Sequence, residues 1–475
     1  MKAKPLKEEE ACLGFSWATA ATRSFRSLSN IKLIPKHTMT HPYYVGLDVH
    51  KETISIAFAL GGSREDSTYH GQCSGSVDAA VKALKKLAEK LRVEFTSLKV
   101  CYEAGPTGFV LARRLIKLGI DCVLMCPSHT ERKPGEKIKT DKLDACKITR
   151  LFRNGDITQV RIPPAMDEAV RDVCRARTDA SDDLIRAKQR LSGFLLRGGF
   201  NYTGKSKWTA AHMRYLRELT MPSPPQRIVL EEYIAAIDSC EQRVERLVDK
   251  LKQILETWEW KPIVLALMAC KGFQEVAAMT LISELGDLRR FTHPSKLMAF
   301  LGLVPSEASS GGKKRQGSIT KCGNSHSRWM LVECAQHFRK CPRISSALTT
   351  RQQGQSDEVK ALSWRMQNRL YNRYVKLKAR GKTETKIIVA IARELSAFLW
   401  ELQNKLHLPM PGLAPTTAAA TDPGARHGAA APNPAELRQL DPTSLPLNPQ
   451  GDFSPPVPQG SGGKRSKKKT LSTKL

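Results

Sequence analysis

The chain has 475 residues, and its 76 Lys and Arg residues outnumber 46 Asp and Glu, which gives a formal net charge of +30. So basic a composition favours a polyanionic partner, above all nucleic acid. No run of eighteen apolar residues occurs, which excludes a membrane-spanning helix, and no basic amphipathic segment with an aromatic face supports a membrane-surface role.

The length and the cysteine content narrow the class of protein further. A chain this long exceeds one ordinary hydrophobic core, so we expect two or three domains. The 12 cysteines are scattered, many of them within apolar runs, and no Cys-x-x-Cys pair occurs. That usage indicates reduced thiols in a cytoplasmic protein rather than disulfides or a zinc site.

Residues 1–42 show neither a helical nor a strand period, and we expect an unstructured extension. Arg23 and Arg26, among Ser and Thr residues, resemble a transit peptide, but the early acidic run Lys-Glu-Glu-Glu argues against one. The interpretation that we prefer is that Met39 is the natural start, because the strand pattern begins close after it.

Residues 43–160 have an α/β pattern. The strand-like runs are YYVGL, TISIAFAL, SLKVCYEA and DCVLMCP, and the segments VDAAVKALKKLAEKL and GFVLARRLIKLG have the helical period. Two early strands joined by a short turn, followed by alternating strands and helices, predict a mixed sheet with helices packed on it.

Four acidic residues in this segment fall where a ribonuclease-H-like nuclease would hold its metals. Asp48 and Glu103 each close a strand-like run, and Asp141 and Asp144 are spaced so that both lie on one face of a helix. On a sheet whose first and fourth strands are adjacent, these positions meet at one edge. Converging carboxylates suit a two-metal phosphoryl-transfer centre with Mg²⁺, or Mn²⁺ in its place. Taken singly, each of these acids could instead be a helix-capping or turn residue and not a metal ligand.

Residues 161–261 look helical, with a break at MPSPPQ. An apolar a/d seam of about three heptads runs along the second helix. Its members are Ile237, Cys240, Val244, Leu247, Leu251, Ile254 and Trp258. The seam predicts a helical coiled-coil arm, either a hairpin or a dimer arm, and a plain helix packed on the body of the protein is an equal alternative.

Residues 262–405 predict a mostly helical domain. Its first two helices flank Lys271-Gly272-Phe273 and resemble a helix-hairpin-helix element, whose backbone N–H groups bind a DNA phosphate. The second glycine of such hairpins is missing near Gln274, so simple helical packing is the alternative. Residues 406–475 are rich in Pro and Ala and end in GKRSKKK, and we expect a disordered basic tail.

A polar, glycine-rich segment, residues 305–328, has neither the helical nor the strand period. Ser309 and Ser310 precede Gly311-Gly312, and a cluster of cations follows. The cations expected to contact nucleic acid are Lys313, Lys314, Arg315, Lys321 and Arg328. A nucleophilic serine needs exposure, a base and neighbouring cations. The segment offers no His or Asp as a base, so on its residues alone a flexible phosphate-binding loop is favoured over a catalytic one.

The motifs GLDVHK, YEAGPTG and KTDKLDA resemble the RuvC-like DEDD domain of the insertion sequence 110 family of transposases. The segment from LMACKGF through GSITKCGN to VECA is similar to the C-terminal serine transposase domain of that family. Together the two blocks cover about residues 43–400, in the family's order. The resemblance therefore implies a RuvC/ribonuclease-H-like domain, a helical arm and a mostly helical domain that bears the serine.

The same resemblance implies a DNA recombinase that excises and inserts its own element in the bacterial cytoplasm, at the nucleoid. Carried over by motif, Asp48, Glu103, Asp141 and Asp144 bind Mg²⁺, and Ser310 forms a covalent link to DNA, with Ser309 as its close rival. The implied partners are the element ends, the target DNA, a structured element-encoded RNA and further copies of the chain in a dimer or tetramer. The carboxylates of one protomer would then activate the serine of another.

Two other functions stay open at this point. One is a metal-dependent, structure-selective nuclease of the Holliday-junction-resolvase type, which uses water and forms no covalent intermediate. The other is a non-catalytic nucleic-acid-binding regulator descended from such an enzyme. Intact acidic residues at all four positions argue against the regulator.

Overall fold

A computed structural model of the protein describes residues 41–127, 140–310 and 313–405. The predictions for the N-terminal extension, the start at Met39 and the basic tail concern residues outside these ranges. Within them, a mixed sheet near the N-terminus and a mostly helical C-terminal region are confirmed. Within the described ranges, each helix is either too short or too polar to span a bilayer.

The six-stranded sheet has the strand order β3-β2-β1-β4-β5-β6. Its strands are β1 (Tyr43–Val49), β2 (Thr53–Leu60), β3 (Thr68–Ser74), β4 (Lys99–Glu103), β5 (Asp121–Met125) and β6 (Gln159–Val160). β1 pairs with β4, and β4 with β5, in parallel, whereas the outer pairs are antiparallel. The polar strands β3 and β6 were not among the predicted strands.

Alternating residues of β1 divide between the two faces of the sheet. Val45 and Leu47 lie in a buried cluster with residues of two helices, α1 (Val77–Leu91) and α2 (Val110–Lys117). A third helix, α3 (Asp141–Asn154), covers the opposite face. Because side chains alternate along a strand, the even-numbered residues of β1 point toward α3.

Two long helices follow the sheet as an antiparallel pair. They are α4 (Ala165–Arg197) and α6 (Pro224–Thr257), with the short α5 (Ala210–Glu218) between them. Leu195 packs near Leu230 at one end of the pair, and Lys188 forms an ion pair with Glu241 farther along. The predicted seam residues are the less exposed positions of α6, as a helix pair within one chain requires. Supercoiling and pairing with a second chain stay predictions.

The C-terminal region packs helices around one large apolar cluster that includes Phe273, Leu331 and Ile391. The helices are α7 (Lys261–Met268), α8 (Glu275–Leu285), α9 (Pro294–Phe300), α10 (Ser325–Ala335), α11 (Ser346–Gln352), α12 (Asp357–Ala379) and α13 (Glu384–Lys405). A two-stranded hairpin of β7 (Pro305–Ser310) and β8 (Lys313–Ile319) interrupts them. No disulfide joins the cysteines of the described part.

A buried carboxylate ties the start of α4 to the end of α6. Asp167 accepts hydrogen bonds from the indole nitrogens of Trp258 at 3.1 Å and Trp260 at 3.1 Å. Arg161, which follows the sheet, lies 3.7 Å from the same carboxylate. Because a buried charge needs such partners, this contact fixes where the helical region meets the sheet.

Candidate active site

The parallel pairing of β1 and β4 places two of the predicted acids side by side. Leu47 is opposite Tyr102 in the register, so Asp48 and Glu103 form the next pair, at the carboxyl ends of both strands. Paired residues of neighbouring strands point to the same face of a sheet. Both carboxylates therefore face the side of the sheet that α3 covers.

Gly46 lets α3 approach β1 closely. Its backbone N–H donates to Thr149 Oγ1 at 3.0 Å, and Thr149 Oγ1 in turn donates to the Ala145 carbonyl at 2.8 Å. A Cβ at Gly46 would lie 2.5 Å from both the backbone nitrogen and Oγ1 of Thr149. Only glycine fits there, and its presence sets the distance between strand and helix.

The other two acids occupy the first turn of α3. Thr140 caps this helix, because its hydroxyl accepts the N–H of Leu143 at 3.3 Å. Asp141 and Asp144 follow directly, where the positive end of the helix dipole favours negative charge. The cap and the Gly46 contact thus hold the start of α3 beside the end of β1.

Three side chains converge at this point closely enough to hold a metal ion. One ligand atom from each of Asp48, His50 and Asp141 lies within 4.8 Å of the others. The His50 Nε2 atom is 3.3 Å from Asp48 Oδ2 and 3.9 Å from Asp141 Oδ1. Carboxylate oxygens with an imidazole nitrogen form a ligand set that divalent ions accept.

The electrostatics of Asp48 fit the same interpretation. Burial raises the pKa of Asp48 above its usual range, and the neighbouring carboxylates of Asp144 and Asp141 raise it further, while His50 opposes them. Like charges crowded at a half-buried site destabilise the ionised form of each other. A bound cation would relieve that repulsion, so these residues fit a metal.

His50 is the site residue to which the sequence interpretation gave no role. It stands two positions after Asp48 in the motif GLDVHK, and its ring bonds the Asp48 carboxylate. The signal was the spacing, since residues two apart in extended backbone lie on one side. Asp144 lies near enough to affect the pKa of Asp48, and Glu103 is placed beside it by register.

The serine segment is a hairpin and not the irregular loop that we expected. Ser309 pairs with Lys314 and Ser310 with Lys313 in antiparallel register, and Gly311-Gly312 lies outside the described residues. The described positions of both strands are mostly exposed on both faces. Because neither face is buried, the sequence has no alternation of apolar and polar residues that would have predicted strands.

The two serines differ in their hydrogen bonding. Ser309 Oγ donates to Glu307 Oε1 at 2.7 Å. Ser310 is exposed, and within the described ranges its hydroxyl has no hydrogen bond, to the acids of the α/β region or elsewhere. The described part of the chain therefore brings Asp48 and Asp141 together but does not bring Ser310 to them.

The base of the hairpin is held by backbone contacts. The N–H of Lys321, a residue at φ +58°, donates to the Gly302 carbonyl at 3.1 Å. Arg328 Nη1 donates to the carbonyls of Leu301 and Cys322, each at 2.9 Å. Arg328 therefore braces the hairpin, and a nucleic-acid contact would have to use its remaining N–H groups. Arg315 and Lys321 are exposed.

A buried carboxylate on α8 supports the helix that follows the hairpin. Asn324 caps α10, because its Oδ1 accepts the N–H of Ser327 at 2.8 Å, and its Nδ2 donates to Glu284 Oε2 at 2.7 Å. Arg175 of α4 donates to both Glu284 oxygens, at 2.7 and 3.0 Å. The Glu284 side chain is 0% exposed, so this network fixes the hairpin's exit against two other helices.

Two family models match the chain. A model described as "Transposase IS116/IS110/IS902 family" matches residues 265–349, which include the hairpin and both serines. A second model, described as "Transposase" and named for the DEDD domain of IS110, matches residues 45–199, which include all four acids and His50. Each match thus covers one of the two candidate regions.

Whole-length relatives agree with these matches. The chain is 37% identical over 362 residues to the putative transposase y4qE of Sinorhizobium fredii, covering 76% of this chain and 88% of the relative. It is 32% identical over 351 residues to the transposase for insertion sequence element IS1533 of Leptospira borgpetersenii, covering 72% of this chain and 99% of the relative. A probable family 20 transposase of Pseudomonas aeruginosa is 29% identical over 250 residues, 51% of this chain and 71% of its own length.

Proposed function

The chain belongs to the IS116/IS110/IS902 family of transposases, enzymes that cut and rejoin DNA, and from this premise we propose a metal-assisted serine mechanism. The protein is a transposase of an insertion sequence, and we infer that it excises and inserts its own element. The observation that carries the mechanism is the crowding of Asp48, Asp141 and Asp144, with the raised pKa of Asp48, at the end of β1.

The proposed metal ligands are Asp48, Glu103, Asp141 and Asp144, with His50 beside them. Their oxygen donors suit Mg²⁺, and Mn²⁺ is the natural substitute. A divalent ion held there would neutralise the charge that develops on the phosphate and help to deprotonate the attacking hydroxyl. The protein's own contribution is to hold the carboxylates at one place through the β1–β4 register and the first turn of α3.

Ser310 is the proposed nucleophile. Its oxygen attacks the DNA phosphorus, the bond from phosphorus to one strand end breaks, and that strand end leaves as a hydroxyl after it receives the serine proton through a base. The phosphate remains a diester, now linked to serine. A second strand end can therefore attack it, release the serine and rejoin the DNA. An exposed Ser310 hydroxyl and the cationic strand that follows it support this role.

Ser309 is the rival nucleophile for a specific reason. Its hydroxyl already donates to the carboxylate of Glu307, which can accept a proton, and a hydroxyl bonded to a base is the usual arrangement of an activated nucleophile. Ser310 has no such base among the described residues, and in this proposal it obtains one from another copy of the chain.

The proposal therefore requires several copies of the chain to assemble. The described part of one chain does not join Ser310 to the carboxylates, so we propose that the carboxylates of one protomer act on the serine of another, in a dimer or tetramer. The nucleic-acid partners are the element ends, the target DNA and a structured RNA encoded by the element, whose base pairing would supply sequence specificity. The net charge of +30 suits such partners. Recombination by the purified protein should then require the added element transcript.

A structure-selective nuclease that uses water is the second candidate. The same separation of Ser310 from the acids favours it, because a metal-bound water needs no serine. The non-catalytic regulator is set aside, since the family is enzymatic and all four acidic positions keep their carboxylates.

A denaturing gel that detects protein joined covalently to labelled element DNA separates these mechanisms. Ser310→Ala should remove the covalent species and leave DNA binding intact, whereas the matched Ser309→Ala variant should retain it. The reverse pattern would assign the role to Ser309 and Glu307. Strand cleavage without a covalent species in the wild-type protein would establish the nuclease.

A further inference from the structure

A cationic cavity lies on the helical region, between the turn that joins α7 to α8 and the segment that joins α10 to α11. Its volume is about 250 Å³, several times the roughly 30 Å³ that one water molecule occupies in the liquid, and enough for a phosphate group. The charged or titratable side chains in its lining are Lys271, His337, Lys340, Arg343 and Arg351. We call this site the α8 cavity.

Two of these cations are held in place by backbone carbonyls. Lys271 Nζ donates to the carbonyls of Lys340 at 3.1 Å and Cys341 at 2.9 Å. Arg351 Nη1 donates to the Phe273 carbonyl. Each of these side chains keeps further N–H donors, and their positions are fixed before any ligand arrives, which lowers the entropy cost of binding.

The α8 cavity has no counter-charge. Its lining contains no Asp or Glu in the part of the chain that the structure describes, and its four Lys and Arg residues form no ion pair there. The basic face of α12 differs, because Arg365 pairs with Glu401 and Arg369 with Glu394. The positive charge of the cavity is therefore available to an outside anion.

Mutual repulsion among the cations supports this interpretation. Burial lowers the pKa of Lys271 below its usual range, and the charges of Arg343 and Lys340 lower it further, while Cys341 opposes them. Burial likewise lowers the pKa of His337, with Lys271 and Lys340 adding to the effect, while Glu333, which lies outside the cavity lining, opposes them. Cations that destabilise one another in this way would be stabilised by a bound anion.

A neighbouring groove indicates that the anion belongs to a polymer. The groove shares Gly272 and His337 with the α8 cavity and continues to Arg177 and Trp329, with Glu333 as the one carboxylate among the described residues of its lining. Trp329 is 40% exposed and lines this groove. An exposed indole next to a phosphate-sized cavity suits a base or sugar attached to that phosphate.

We propose that the α8 cavity binds one phosphate of a nucleic-acid backbone. The site is separate from the carboxylates and the serine hairpin, and it goes beyond the proposed cleavage mechanism because it concerns retention of the nucleic acid. Guanidinium and ammonium donors that converge from several directions match the oxygens of a phosphodiester. Duplex DNA and RNA share this chemistry.

The test uses the full-length protein and two matched double variants. Lys340→Gln with Arg343→Gln removes two exposed cations of the α8 cavity whose side chains make no hydrogen bond within the described ranges. Lys82→Gln with Lys86→Gln removes two exposed, unpaired cations from α1, on the face of the sheet away from the carboxylates. Affinity for a short duplex DNA of unrelated sequence, and for an RNA of equal length, is measured against KCl concentration.

The cavity variant should bind about tenfold more weakly at low salt, and the slope of log affinity against log salt should fall by about one unit. The α1 variant should keep the wild-type slope. Loss with one polymer only identifies duplex DNA or RNA as the ligand. Unchanged slopes for both polymers, or equal losses in the two variants, would overturn the proposal. Because no strand cleavage is measured, failure of the serine mechanism would leave these results unaffected.

Alkylation of Cys341 gives a second measurement. This exposed cysteine adjoins the cavity, and its carbonyl is bound by Lys271. Nucleic acid should slow its modification by a maleimide in the wild-type protein and should do so much less in the cavity variant. Equal protection in both proteins would contradict a phosphate at this site.

Discussion

The carboxylate site and the serine hairpin are built in opposite ways. Asp48 is mostly buried at the end of a central strand, and its neighbours come from the first turn of a helix that glycine holds against that strand. Ser310 is exposed at the far end of a hairpin whose anchoring lies at its base. Carboxylates that crowd together must be held rigidly, whereas a nucleophile that attacks another molecule must be exposed to it.

The two regions are also chemically incomplete in complementary ways. The carboxylate site has groups that can bind metal and accept protons, and the serine that pairs with Asp48 in the sheet register, Ser55, is buried and so closed to DNA. The hairpin has hydroxyls and cations, and its one nearby carboxylate, Glu307, is bonded to Ser309. This difference predicts that damage to either region stops the same step, the formation of the serine–DNA bond.

The largest effect is expected from Asp48→Asn, which should lower strand cleavage by about a thousandfold or more, as for other catalytic groups. Asp121→Asn is the matched control, because Asp121 is exposed at the opposite end of a strand in the same sheet. Cleavage is measured on labelled element DNA with Mg²⁺. A covalent Ser310–DNA species of normal amount in the Asp48→Asn variant would show that the two regions do not act together.

In the absence of metal, the Asp48→Asn variant should also differ from the wild type in its stability. Because the pKa of Asp48 is raised, the folded protein binds a proton more tightly than the unfolded chain, so this group's contribution to stability is lost as pH rises through the raised pKa. At neutral pH the metal-free Asp48→Asn protein should therefore be at least as stable as the wild type. A lower melting temperature would mean that the lost cleavage reflects misfolding.

The next effect tests how the hairpin region is supported. Glu284→Gln places an amide donor among the donors of Arg175 and Asn324, and we expect a loss of about 2 kcal/mol in the free energy of unfolding. Glu333→Gln, at an exposed position of α10, should cost almost nothing. Urea unfolding measures both. Equal stability of the two variants would mean that the buried network does not hold the hairpin's exit.

The smallest of these effects concerns His50. His50→Gln keeps a polar group near Asp48 and should lower cleavage by about tenfold, the lower range for a residue that orients a metal ligand. The Mg²⁺ concentration at half-maximal rate should rise as well. Wild-type rate and Mg²⁺ dependence would show that His50 is only a neighbour of the carboxylates.

Features that repeat along one strand or helix, and residues that stand at its end, could be read from the sequence. Asp48 and Glu103 were proposed as metal ligands because each closes an apolar run, and the mixed sheet followed from the alternation of those runs with helices. β3 was missed because its residues are mostly polar and partly exposed, and the hairpin was missed because both of its faces are exposed. Strands held together by backbone pairing alone leave little trace in side-chain pattern.

Sites assembled from distant segments were beyond sequence reasoning. Lys271 meets the carbonyl of Lys340 across 69 positions, and Asn324 meets Glu284 across 40. No local period connects such residues, and only tertiary packing brings them together. Arg328 illustrates the same limit, because its sequence neighbours gave no sign that its guanidinium also binds two backbone carbonyls.

Gly46 bears on how inactivated copies of such insertion sequences are recognised in genomes. Transposon copies that lose activity are usually recognised by damage to catalytic residues, yet the spacing of Asp48 and Asp141 depends on a position without a side chain. Any larger residue there would meet Thr149 and push the helix away from the strand. A copy with Gly46 replaced would keep all four acids in its reading frame, would appear intact to a motif search, and would be extinct as a mobile element.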